Sequence, residues 1–93
     1  MSEPKNPLFQ PKSYAVTRGA AKFPAYQNLI DRHIRGDWGD CCKMDASMQN
    51  ESLANGGGQQ LLSVFNATGD RPTLWVITEH DLSVCTALLP EEY

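Results

Sequence analysis

The run Gly56-Gly57-Gly58 divides the chain into halves with different hydrophobic periods. Before it, apolar residues recur every three or four positions, as on one face of a helix. After it, they crowd into short runs of strand length. Neither half can bury its apolar face alone, so the helical half must pack on the extended half, and 93 residues suffice for one such domain. The expected class is therefore α+β: two helices packed on a three-stranded antiparallel β-meander, preceded by an extended N-terminal arm.

A loose, flexible arm is expected over residues 1–13, where Pro4, Pro7 and Pro11 interrupt regular structure and Leu8 and Phe9 are the apolar side chains available for docking; residues 14–93 form the domain. Tyr14-Ala15-Val16-Thr17 reads as a short strand or an extended lead-in, with Thr17 placed to cap a turn over residues 18–22. The first helix is expected over 24–35. Pro24 suits a first helical position, Tyr26, Leu29, Ile30, His33 and Ile34 make one stripe, and Gly36 supplies the left-handed residue that closes such helices. A second helix is expected over 40–54, with Asp37 and Asp40 at its start and some of Cys41, Met44, Met48 and Leu53 toward the core. Strands follow over 60–66, 73–79 and 83–89. They are joined by a loop at 67–72 and a tight turn at His80-Asp81-Leu82, where the Asp81 carboxylate can fold onto backbone N–H groups.

These strands are apolar at both parities, with Trp75 and Ile77 on one face and Leu74 and Val76 on the other. One helical layer covers one face, so the second is roofed by the arm or left for another chain. A protein partner or a homodimer is expected. A domain this small buries only about 60–65% of its unfolded surface, so association would add materially to its stability. Charge points the same way. Seven of the eight basic residues lie in residues 1–43, whereas Arg71 alone stands among Asp45, Glu51, Asp70, Glu79, Asp81, Glu91 and Glu92 beyond them. A formal net charge of −3 argues against nucleic acid as the partner, and an acidic half more naturally meets a basic protein. No apolar run approaches the ~20 residues needed to span a bilayer, and the first residues lack a signal-peptide pattern, so the expected compartment is the cytoplasm. Three cysteines, two adjacent, make a poor disulfide framework and are expected reduced.

Chemistry concentrates in residues 32–42, which hold Arg32, His33, Arg35, Asp37, Trp38, Asp40, Cys41, Cys42 and two glycines. A small enzyme or metal-binding protein would be centred on His33, Asp37, Asp40 and Cys42. Zinc motifs separate paired ligands by two to four residues so that both converge on one ion, and adjacent Cys41-Cys42 do not; no metal or cofactor is expected. A Cys–His nucleophile lacks an oxyanion motif or nucleophile elbow, so no enzyme is expected. The glycine triplet is followed by no Lys-Ser/Thr and leads from helix to strand, the reverse of a phosphate loop. His33 lies in an apolar stripe and reads as structural. Trp38 reads as an anchor of the helix junction or as an aromatic contact for a partner. The partner-binding candidates are Arg32, Arg35 and Trp38 at the corner and Glu79, His80 and Asp81 at the turn. A DNA-associated regulator using Lys22, Arg32 and Arg35 is a third option.

The blocks Leu29…His33…Gly36-Asp37-Trp38-Gly39, Asp45, Asn50, Leu61-Leu62-Ser63-Val64, Trp75-Val76-Ile77-Thr78-Glu79, Asp81, Ser83-Val84 and Leu88-Leu89-Pro90-Glu91-Glu92-Tyr93 carry a resemblance. Over most of residues 14–93 the chain resembles a family of small plasmid-related proteins carried by bacterial plasmids, integrative elements and phages. It departs from that pattern at Leu82, where the family has a basic residue, and at Cys85, where it has a threonine; a basic side chain's contact at that turn would be lost here. The resemblance brings no activity with it. It implies an accessory protein of a mobile element, a setting in which small acidic proteins act by binding host or defence proteins, as anti-restriction and anti-CRISPR inhibitors do.

Overall fold

A computed structural model of the chain describes residues 7–93. The elements are β1 (Ser13–Val16), a 3-10 turn (Ala20–Lys22), α1 (Tyr26–Ile34), α2 (Lys43–Ala54), β2 (Leu61–Phe65), β3 (Leu74–Thr78), β4 (Val84–Leu88) and a closing 3-10 turn (Pro90–Glu92). The α+β class is as expected, but the sheet has four strands, in the order β1-β4-β3-β2. The expected meander is present in β2, β3 and β4, and β1 joins it parallel to β4, with Ser13 opposite Val84 and Val16 opposite Ala87. Parallel pairing between strands so far apart in sequence leaves no local turn to announce it.

From Leu8 onward the segment expected as a loose arm is packed; residues 1–6 lie outside the described residues. The Leu8 N–H donates to the Ile34 carbonyl at 2.7 Å, and Phe9 and Pro11 are buried, whereas the Leu8 side chain is largely exposed. Phe9 alone of the two expected docking side chains enters the core. Thr17 acts as anticipated, its Oγ1 accepting the Ala20 N–H at 3.3 Å.

Strand register sorts the core. Leu61, Ser63 and Phe65 of β2, Leu74, Val76 and Thr78 of β3, and Cys85 and Ala87 of β4 are all buried on the face that α1 covers through Leu29 and His33. α1 starts two residues later than the proline suggested, because Phe23 and Pro24 carbonyls accept the Tyr26 and Gln27 N–H groups in a lead-in turn. α2 starts later too, at Lys43, and of the expected core side chains only Cys41 and Leu53 pack, partly buried, on the cluster of Phe9, Ile34, Trp38 and Leu61. Met44 and Met48 are exposed, while Gln49 is buried. The reason is its position: α2 sits at the outer edge of β2, where the Gln49 side-chain amide accepts from Leu62 N–H at 2.6 Å and donates to the Leu62 carbonyl at 3.1 Å. A helix that closes a sheet edge needs a backbone-like side chain more than an apolar stripe.

The opposite sheet face carries Leu62, Val64, Trp75, Ile77, Thr86 and Leu88, read from the cross-strand pairs. No described part of the arm roofs it, since Leu8 and Phe9 lie on the helix side against Ile34 and His33. Its cover comes from the chain's last turn, where the Tyr93 ring meets Trp75 edge-on at 5.9 Å.

Candidate functional site

The dense segment 32–42 is a corner that turns α1 onto the sheet edge. α1 closes through Gly36, at φ +87°: the Gly36 N–H bonds the His33 carbonyl at 3.0 Å, and the Asp37 N–H bonds the Arg32 carbonyl at 2.9 Å. The chain then runs alongside β2. The Val64 N–H donates to the Trp38 carbonyl at 3.1 Å, and the Asp40 N–H donates to the Val64 carbonyl at 2.6 Å. Gly39 between them must be glycine: its φ is +65°, and a Cβ there would lie 2.2 Å from the Val64 oxygen.

The aspartates brace this corner instead of capping α2. Asp37 Oδ2 pairs with Arg32 Nε at 2.7 Å and its Oδ1 accepts the Gly39 N–H at 2.9 Å, while Asp40 Oδ2 accepts the Asn66 N–H at 2.9 Å. The residue that starts α2 is Cys42, without a side-chain cap.

His33 lies at the centre, wholly buried. Its ring is held edge-on between Phe9 and Trp38, at 5.6 and 5.4 Å, and both nitrogens are engaged: Nδ1 with Ser63 Oγ at 2.6 Å and Nε2 with Thr78 Oγ1 at 2.8 Å. Ser63 fixes the tautomer. Its hydroxyl donates to the Asp37 carbonyl at 3.0 Å, so it must accept from Nδ1–H, which leaves Nε2 to accept from Thr78. Cys85 lies opposite Thr78 in the β3–β4 pair, and burial pushes its thiol pKa up, partly offset by Thr78. A continuous polar chain thus runs through the core from Thr78 by way of His33 and Ser63 to the Asp37 carbonyl at the corner. Burial lowers the His33 pKa from 6.5 to about 3, so the imidazole is neutral, as this chain of donors requires.

Trp38 is buried as well, its Nε1 donating to Asn50 Oδ1 at 2.9 Å. As a partner-binding candidate it is corrected: the indole is an anchor, with no face for a partner to touch. Arg32 and Arg35 do reach the surface. Arg32 extends over the Phe65 ring at 4.7 Å while holding Asp37, Arg35 pairs with Asp31 at 3.2 Å, and both line an open hollow of about 370 Å³ with Gly36 and Asp37. Glu79, His80 and Asp81 are exposed in the β3–β4 turn. Asp81 Oδ1 accepts from Ser83 Oγ and Ser83 N–H, which holds its carboxyl below the usual range and supports Leu82 at φ +62°. Among the described residues no hydrogen bond or ion pair joins this turn to Arg32 or Arg35, so the six candidates form two separate patches and one anchor.

His33, Asp37, Asp40 and Cys42 are not brought together as a ligand set, and among the described residues no group of three or more His, Cys, Asp or Glu is placed to hold a metal ion. Cys42 is exposed and Cys85 buried; burial, then Asp45, raises the Cys41 thiol's pKa, the opposite of an activated nucleophile. The residues that sequence reasoning passed over are Ser63, Thr78 and Gln49. Ser63 and Thr78 were detectable as polar residues at core-facing strand parity opposite a histidine in an apolar stripe. Gln49 left no such mark. No helix among the described residues is long and apolar enough to cross a membrane. No family model, curated protein or solved structure matches this chain.

Proposed function

We propose that the chain is a non-enzymatic accessory protein of a mobile genetic element, working in the cytoplasm by binding another protein, with a host defence component of the anti-restriction or anti-CRISPR target type as the partner class. The observation that carries this reading is the use of the dense segment as structure. Its histidine has both nitrogens committed inside the core, its aspartates hold backbone N–H groups and Arg32, and its tryptophan is buried. Chemistry left for function is on the surface: the hollow at Arg32 and Arg35, and the acidic turn at Glu79 and Asp81.

The residues behind the resemblance to plasmid-related proteins fit a shared scaffold. They include the pairs His33–Ser63, His33–Thr78, Trp38–Asn50 and Asp81–Ser83.

Affinity capture from cells of the native host, with the intact chain and with an Arg35→Glu/Glu79→Lys variant, tests the reading. A specific protein retained by the intact chain and weakened about tenfold or more by the variant is expected. Stoichiometric zinc in the purified protein, or a turnover lost in a folded Cys41→Ser/Cys42→Ser variant, would overturn it.

A further inference from the structure

We propose that the free edge of β1 is the docking strand for an extended, acidic segment of a partner protein, which adds to the sheet beside Tyr14 and Val16. This rests on the protein-binding reading and gives it a place and a chemistry. The two edges of the sheet are treated in opposite ways. Along β2 the Gln49 side chain takes both backbone groups of Leu62, Trp38 and Asp40 take those of Val64, and Asp40 takes the Asn66 N–H. Among the described residues nothing comparable covers β1, whose first three residues are exposed.

The register leaves particular groups open. Ser13 and Thr17 N–H groups turn inward to the Ser83 and Ala87 carbonyls, both at 3.0 Å. Successive peptide groups of a strand face opposite sides, so the N–H and C=O of Tyr14 and Val16 point outward, and no described residue pairs with them. Ser-Tyr-Ala-Val contains no charge and no proline, the devices that usually deter an incoming strand.

Charge selects the occupant. Lys12 and Arg18 bracket the strand, both exposed and neither side chain in a hydrogen bond or ion pair with a described residue. The nearby acids are committed elsewhere: Asp31 to Arg35, and Glu92 to Thr17, Gly19 and Leu89. A second copy of the chain is disfavoured, because antiparallel pairing about Ala15 sets Lys12 against Arg18 and parallel pairing sets like against like. An acidic strand meets cations at both ends, and its main chain supplies the bonds that β-strand addition uses.

The test is an amide-resolved NMR titration of the full chain with a capped peptide alternating glutamate and valine, and with its lysine-for-glutamate counterpart. Binding of the glutamate peptide, with the largest shifts and slowed exchange at Tyr14 and Val16, is expected. Tyr14→Pro removes one outward N–H and no bond to β4, and weakens binding about fivefold to tenfold. Lys12→Glu/Arg18→Glu, which leaves the strand backbone intact, shifts preference to the lysine peptide. Equal affinity for the two peptides, shifts centred away from β1, or a concentration-dependent dimer with β1 amides already protected would overturn the proposal. A cellular partner held equally by the intact chain and by both variants overturns the edge assignment and leaves the protein-binding reading standing. Peptide binding at β1 with no cellular partner captured supports the edge and removes the wider reading.

Discussion

A histidine that keeps both ring nitrogens inside a protein core binds its protonation state to the fold. His33 stays neutral in the folded chain down to about pH 3, whereas an unfolded histidine takes up a proton below 6.5. The unfolded state therefore binds more protons between these values, and stability falls as the pH drops from about 6.5 toward 3, by up to about 1.4 kcal/mol per pH unit; above 6.5 the effect vanishes. Urea denaturation of the intact chain and of His33→Gln at pH 7 and pH 4.5 checks this. The loss on acidification is larger for the intact chain by this amount, while the carboxylates' contribution is common to both. Trp38 is the second residue-scale test. It fills the corner beside His33 and holds Asn50, so Trp38→Ala costs about 3–5 kcal/mol, much of what a small domain has, read as a fall in denaturation midpoint.

At the scale of elements, the edge of β2 is closed by side chains and a corner instead of a strand. Gln49→Leu strips both bonds from Leu62, and the cost is on the order of 1–3 kcal/mol, with faster hydrogen exchange at the Leu62 amide than at Val76 in the sheet centre. This edge also shows where the sequence could be read and where it could not. β2, β3 and β4 each lie within one residue of the expected strands because alternation and turn residues are local signals. The parallel docking of β1 and the role of Gln49 depend on contacts between distant parts of the chain, and no local pattern records them. The same holds for the corner: Gly36 as a helix terminator was legible, but the pairing of Trp38 and Asp40 with Val64, which takes the aspartates away from α2, was not.

For the whole molecule, the division of labour among the described residues is between an interior that ties up His33 and its polar neighbours and a surface with charged patches and an open strand edge at β1. Thr78, His33 and Ser63 are spent on one polar chain through the core. Lys12 and Arg18 frame β1, and Glu79 to Asp81 lie at the β3–β4 turn. The measurement that bears most directly on the proposed protein-binding role is quantitative capture of the proposed cellular partner at pH 7 by a Cys41→Ser/Cys42→Ser/His33→Gln chain whose fold has been verified. Affinity within about twofold of the intact chain is expected, since the proposed binding surfaces include none of these side chains. A folded chain of this kind that no longer holds the partner would contradict that role.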